Sequence, residues 1–152
     1  MRSAPAAMFF LLLAACVGAP PQADDALYRD LGGTAGITAI VDSFLVELAR
    51  DERIIHHFRR TNVERFRRLL IEQFCELAGG PCTYSGDSMA LSHRGMGLTD
   101  RDFNALVDDL IHAMEAENVP VGAQNRLLAL LAPMYGEIMA EQDVEPLAGS
   151  NR

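Results

Sequence analysis

Residues 79–99 read GGPCTYSGDSMALSHRGMGLT, and this stretch decides how the whole chain is interpreted. A glycine-rich turn leads into one predicted helical turn, which ends at His93 and is followed by two more glycines. Met89 and His93 are four residues apart, so on a helical turn they share a face. An imidazole presented beside a thioether and the apolar Leu98 suits a flat, apolar metal cofactor better than a water-exposed ion.

The composition fits one globular domain with a sizeable core. The chain has 152 residues, of which 49% are hydrophobic, and its formal net charge is -8. A nucleic-acid-binding protein would show a basic footprint, so the acidic balance argues against nucleic acid as a partner. The arginine-rich run at 59–68 is the local exception, and such a run is most often a solvated helix face.

Apolar periodicity predicts helices throughout and no strand alternation. One stripe runs from Ile37 to Leu48 and is opened by Thr34, and 51–58 is an irregular connection. Thr61 and Glu64 have capping-box spacing before a second helix. Thr99 is predicted to cap a third helix, and a break at 118–122 precedes one last long helix. The expected fold class is all-α, with four main helices.

The motifs together resemble those of the group 1 truncated haemoglobins. The resemblance rests on the pattern GGPxxYxGxxMxxxHxGxGxT at 79–99, on LYRDLGG at 27–33 and on Phe58 between them, and it covers residues 27–140. It implies a two-over-two helical sandwich around non-covalent haem b. It also implies that His93 is the proximal iron ligand, since haem iron is commonly held by one histidine.

The resemblance also implies which side chains surround the haem. Phe58 matches the position whose ring packs on the porphyrin, and Thr61 with nearby arginines is expected to pair with the haem propionates. Tyr84 is expected to bond to backbone or to a propionate. The complete set of expected cofactor-binding residues is Phe58, Thr61, Phe66, Leu70, Tyr84, Met89, His93, Leu98, Phe103 and Leu106.

The distal side departs from the family pattern. Relatives place a tyrosine and a glutamine over the iron, whereas the match puts Leu45 and Leu70 at these positions, with Phe66 one turn earlier. Loss of a hydrogen bond to a charged group costs about 1.5–3 kcal/mol, so we expect oxygen affinity roughly 10- to 100-fold lower. Gln73 could place an amide deeper in the pocket, although a partly exposed helix residue is the favoured interpretation.

The other histidines are expected to be peripheral. His56 and His57 are predicted to be exposed loop residues, although either could in principle become a sixth iron ligand. His112 lies off the apolar stripe of its helix and is predicted to be solvated. The last helix contains no histidine, so a histidine–haem covalent link of the kind found in some relatives is not expected.

The N-terminus has the features of a targeting segment. Arg2 precedes an apolar run at 8–15, and the sequence Leu13-Ala14-Ala15-Cys16 resembles a bacterial lipoprotein signal. Ordinary secretion with a conventional cleavage site near Cys16 is the alternative. We expect 1–15 to be a signal peptide, 16–26 a lipidated tether, 27–142 the globin domain and 143–152 a flexible tail. The protein would then be exported and membrane-anchored, facing the periplasm or the cell exterior.

Cysteine content is consistent with export. If Cys16 carries lipid, Cys75 and Cys82 remain as an even pair, which an oxidising compartment would favour as a disulfide. Two unpaired thiols are the alternative.

Three functions follow from these features. The first is reversible binding of dioxygen at ferrous haem, with nitric oxide and carbon monoxide as further candidate ligands, only weak nitric oxide dioxygenase activity and an unidentified reductase. The second is electron transfer or redox sensing through six-coordinate haem. The third is a haem-free interaction module with a globin fold.

Overall fold

The computed structural model describes residues 25–140 and residue 142, and within them the chain is helical, without strands. Seven α-helices occur in this part: α1 (Ala26–Asp30), α2 (Gly33–Arg50), α3 (Val63–Leu77), α4 (Met89–His93), α5 (Asp100–Ala116), α6 (Val121–Leu131) and α7 (Met134–Met139). A 3-10 helix, Ile55–Phe58, precedes α3. The predicted signal peptide, Cys16 and the tail 143–152 lie outside the described residues. No helix within the described part is long and apolar enough to cross a bilayer.

Helix α2 is the centre of the fold. Its predicted stripe is confirmed, because five of its residues are buried: Ile37, Ile40, Val41, Phe44 and Leu48. This face packs on α3 and α5, while α6 packs on α3 and α7 packs on α4. Burying a side chain of this size contributes about 1.5–3 kcal/mol, so the packing of α2 on α3 and α5 stabilises the core.

The helix ends show where predictions from local sequence patterns succeed and where they fail. The cap at Thr99 is confirmed as a capping box, since its side chain accepts from the Asp102 amide and Asp102 accepts from the Thr99 amide. The predicted cap at Thr61 is wrong, because Asn62 caps α3 by accepting from Arg65 N. The single long C-terminal helix is also wrong: it is divided into α6 and α7 around Pro133, which has no amide hydrogen to continue the first helix.

A disulfide joins the end of α3 to the loop that leads to α4. Cys75 and Cys82 are bonded, and Cys75 is fully buried. Gly80 lies inside the ring, where a Cβ atom would come within 2.7 Å of Cys75 Sγ and 2.5 Å of the Tyr28 ring. The loop therefore packs closely against both the disulfide and α1.

Removing this disulfide should lower stability measurably. For Cys75→Ala/Cys82→Ala we expect the free energy of unfolding to fall by about 2–3 kcal/mol, because a short covalent ring no longer restricts the unfolded chain. Urea titration of the variant and the oxidised wild type would measure the difference, and reduced wild type is the matched control. Equal midpoints for oxidised and reduced wild type would contradict the expectation.

Asp109 on α5 is a buried carboxyl group with an incomplete set of partners. Asp109 is 4% exposed. Its Oδ2 atom has no hydrogen-bond partner among the described residues, and its Oδ1 atom lies 3.8 Å from Arg53 Nη2. Burial, followed by the nearby Asp51 charge, raises the pKa of Asp109 to about 6. The folded state therefore holds a proton that the unfolded chain releases at lower pH.

This carboxyl group should make stability fall with rising pH. Between about pH 4 and pH 6, Asp109 is ionised in the unfolded chain but still protonated in the folded protein. The free energy of unfolding therefore falls as the pH rises through this range, and it becomes constant above the folded pKa. We expect Asp109→Asn to be about 1–3 kcal/mol more stable than wild type at pH 7.5, with little gain at pH 4. Urea titrations across this range test it, with the exposed neighbour variant Asp108→Asn as control. An equal gain at both pH values would contradict the assignment.

Candidate haem-binding site

A cavity of about 480 Å³ lies between α3, α4, α5 and the α6–α7 region. Its volume is within the range of small-molecule and cofactor sites, which are concave and mostly apolar. All ten residues that the sequence predicted to bind a cofactor lie on its wall: Phe58, Thr61, Phe66, Leu70, Tyr84, Met89, His93, Leu98, Phe103 and Leu106. The fold thus gathers residues from α3, α4, α5 and the segments that precede them around one cavity.

His93 is presented to this cavity by the short helix α4. Ser88 caps the helix by accepting from Leu91 N, and His93 is its last residue. The His93 Nδ1–H group donates to the Met89 carbonyl oxygen at 2.8 Å. A hydrogen bond at one ring nitrogen determines which nitrogen binds a metal. The arrangement therefore makes Nε2 the nitrogen suited to bind iron.

The loop before α4 is fastened to α3 by polar contacts in addition to the disulfide. Glu72 accepts from Ser85 N at 3.0 Å and from Ser85 Oγ at 2.6 Å. These bonds, with that from Arg68, lower the pKa of Glu72. Tyr84 donates from its hydroxyl to the Asp87 carbonyl at 3.0 Å, so its contact here is to backbone. The wall that carries His93 is thus tied to the wall formed by α3.

The α3 wall is apolar apart from one amide. Phe66, Leu70 and Phe74 line the cavity together with Gln73. The favoured prediction for Gln73, a partly exposed helix residue, is wrong, because it is 8% exposed. Its Nε2 lies 3.3 Å from Met89 Sδ and 3.6 Å from Met134 Sδ. Since thioethers are weak acceptors, this amide has poor hydrogen-bond partners in the cavity wall.

Leu45, which the resemblance places over the iron, is not among the residues that line the cavity. It is half-buried against the core rather than on the cavity wall, and the preceding residue, Phe44, lines the cavity instead. Successive residues on a helix point in directions about 100° apart. Phe44 rather than Leu45 therefore lines the cavity, and the assignment of Leu45 to the distal pocket stays a prediction.

One of the two histidines before Phe58 is also placed differently. His56 is exposed, but His57 is not: its side chain is 10% exposed, and it lines the cavity. Its Nε2 is 3.7 Å from Asp102 Oδ1 and has no hydrogen-bond partner in the described part of the chain. Burial, with the neighbouring His56, lowers the pKa of His57 despite Asp102, which favours the neutral ring. His112 is exposed, as predicted.

The run at 59–68 contributes one arginine to the site. Arg65 lines the cavity beside Thr61 and Asn62. Arg67 instead pairs with Asp42, its Nη2 lying 2.8 Å from Oδ2. Arg68 pairs with Glu72 at 2.6 Å. Arg65 and Thr61 are therefore the polar groups of this run best placed to meet the carboxylates of a cofactor.

The helical architecture and the histidine-bearing cavity define a small globin of the two-over-two class. The profile of the bacterial-like globin family matches residues 26–140. The chain belongs to this family, and its curated relatives are truncated haemoglobins.

Two kinds of comparison agree on this assignment. A group 1 truncated haemoglobin of Mycolicibacterium paratuberculosis is 31% identical over 112 residues, which are 74% of this chain and 82% of the relative. The crystal structure of a truncated haemoglobin from Tetrahymena pyriformis, in its Fe(III) form, has a TM-score of 0.71 at 26% identity, covering 74% of this chain and 96% of that one.

A 2/2 haemoglobin from a Synechococcus species also has a TM-score of 0.71, at 23% identity, covering 75% of this chain and 98% of that one. That structure is described as carrying covalently attached haem. At this identity the likeness shows the fold alone. The predicted two-over-two helical fold is confirmed by these neighbours.

Proposed function

We propose that the protein binds haem b non-covalently in the cavity and that His93 Nε2 is the proximal iron ligand. The observation that carries the proposal is the His93 imidazole on the wall of a large apolar cavity, with Nδ1 already bonded to the Met89 carbonyl. The apolar wall suits the porphyrin, while Arg65 and Thr61 suit its propionates, because guanidinium–carboxylate pairs are strong. Among the described residues, α6 and α7 contain no histidine, which favours non-covalent attachment.

We propose reversible binding of a diatomic gas as the function. Bound ferrous haem supplies an iron that takes dioxygen, carbon monoxide or nitric oxide. Phe44 of α2 and Phe66 and Leu70 of α3 line the cavity with apolar side chains that donate no hydrogen bond. Gln73 places one amide on the α3 wall, in place of the distal tyrosine and glutamine of the relatives, so we expect dioxygen to be held less tightly than in those relatives. Any nitric oxide dioxygenation is expected to be weak and to need an external reductase.

Visible spectra test the haem proposal directly. Residues 17–152, expressed with added haem, would be examined in the ferric, dithionite-reduced and carbon monoxide-bound states. A five-coordinate ferrous spectrum that converts fully to a carbonyl form supports a gas-binding globin. Absence of a haem band would overturn the proposal and leave the haem-free interaction module.

Electron transfer through six-coordinate haem is the second candidate, and the position of His57 favours it. This imidazole is nine-tenths buried on the cavity wall, and its Nε2 makes no hydrogen bond to another described residue. If His57 bound the iron, the ferrous protein would have a low-spin spectrum that His57→Leu converts to high spin. The exposed neighbour variant His56→Leu is the matched control, and a high-spin wild type would rule this candidate out.

We further propose that the protein is an exported lipoprotein anchored through Cys16. The basis is the sequence of the N-terminal segment together with the Cys75–Cys82 disulfide, a bond that is typical of oxidising compartments. Metabolic labelling with a palmitate analogue should mark the wild type and not Cys16→Ser. Equal labelling of both, or secretion of an unlabelled wild type, would overturn the anchor.

A further inference from the structure

The segment that carries His93 is short and has no fully buried side chain. Helix α4 is five residues long and contains no buried residue. The turn that follows has positive φ angles at Gly95 and Gly97, 64° and 66°. Glycine adopts this conformation readily and restrains the chain weakly. Contacts from elsewhere in the fold must therefore fix the position of the His93 backbone.

One such contact comes from the C-terminal end of the described chain. Gln142 Nε2 donates to the His93 carbonyl oxygen at 3.1 Å, and Gln142 Oε1 accepts from Leu98 N at 2.9 Å. The same amide nitrogen also donates to the Ile138 carbonyl on α7. One side chain thus joins both ends of the 93–98 turn to α7, and we call these three bonds the Gln142 bridge.

We propose that Gln142 is a positioning residue for the proximal histidine. The inference rests on the proposed ligation of haem iron by His93. Met89 fixes the rotation of the imidazole through Nδ1, whereas the Gln142 bridge fixes the backbone from which the imidazole projects. Together they determine how Nε2 is presented to the iron. Gln142 is not among the residues that line the cavity, so its effect on a bound iron would act through His93.

The chemistry of the bridge requires a side chain that both donates and accepts. A glutamine amide provides two N–H donors and a carbonyl acceptor. A glutamate at this position could still accept from Leu98 N but could not donate to the His93 carbonyl, and a leucine could do neither. Comparing Gln142→Glu with Gln142→Leu therefore separates the bond that Gln142 accepts from Leu98 N from the bonds that it donates.

Full-length protein loaded with haem gives the principal test. The readouts are the iron–histidine stretching band of the deoxygenated ferrous form in resonance Raman spectra and the rate of haem transfer to excess apomyoglobin. We expect the band to shift or broaden in both variants. Haem loss should be roughly two- to tenfold faster, the factor that corresponds to one hydrogen bond.

Gln124→Leu is the matched control. Gln124 is also a buried glutamine, and its Nε2 donates to the Val119 carbonyl at 2.9 Å, at the start of α6. Its loss should lower the free energy of unfolding without moving the iron–histidine band. A shift in the control equal to that in Gln142→Leu would attribute the effect to general destabilisation and overturn the proposal.

Amide exchange gives a readout that needs no haem. The Leu98 N–H group should exchange faster in Gln142→Leu and remain protected in Gln142→Glu. An unchanged iron–histidine band and unchanged haem loss in haem-loaded Gln142→Leu would overturn the positioning role alone. A wild type that takes up no haem would instead overturn the proposed function, and with it the role of Gln142 toward iron.

Discussion

His93→Gly is expected to lose haem almost completely when purified beside the wild type. Changing groups that merely orient a metal ligand typically costs 10- to 100-fold in affinity, so removing the ligand itself should cost more than about 100-fold. The apolar cavity alone would then hold the porphyrin only weakly. The ratio of Soret absorbance to protein, measured after gel filtration, gives the result.

Two controls make this experiment specific. His112→Gly removes an exposed histidine from α5 and should keep its haem. Free imidazole should restore the haem spectrum of His93→Gly, because it fills the space of the missing side chain. Retention of wild-type haem content by His93→Gly, with helical circular dichroism unchanged, would contradict the assignment of the proximal ligand.

The second large effect is expected at Leu70, where a donor can be restored to the α3 wall. Leu70→Gln should raise oxygen affinity by roughly 10- to 100-fold, since a hydrogen bond to a charged acceptor contributes about 1.5–3 kcal/mol. Most of the gain should appear as slower oxygen release. Carbon monoxide depends less on such a donor, so its affinity should change little.

Stopped-flow oxygen dissociation and carbon monoxide binding measure the two ligands separately. Leu70→Met is the matched control, because it nearly conserves the volume and adds no donor. If the rates for oxygen and for carbon monoxide change by the same factor in Leu70→Gln, the cause would be altered access of ligands to the iron rather than a hydrogen bond. Unchanged oxygen release would show that residue 70 does not face the bound gas.

Features encoded by local patterns were predictable from the sequence. The α2 stripe and the Thr99 cap depend on residues within a few positions of each other, and so does the one-turn helix ending at His93. The cap of α3 shows the limit of such patterns. Thr61 has the right spacing, but its amide donates to the Phe58 carbonyl at 3.0 Å. It therefore still belongs to the turn that follows the 3-10 helix, and the cap falls on Asn62.

Features that depend on distant segments were not predictable. The burial of His57 requires Asp102 and α5 to lie beside it, and nothing adjacent in sequence indicates this. The contact of Gln142 with His93 joins residues 49 positions apart. The break before α7 was predictable from a local residue, Pro133. The apolar periodicity continues across this proline, and for that reason a single helix was predicted.

The Cys75–Cys82 bond also affects the order in which the walls of the cavity form during folding. The two cysteines are seven residues apart, so their ring can close before the rest of the chain has folded, since short loops meet quickly. In an oxidising compartment, a newly made chain would therefore link the end of α3 to the loop before α4 at an early stage of folding. If the cavity binds haem as proposed, oxidation of the thiols and uptake of haem are separate steps in the maturation of the protein.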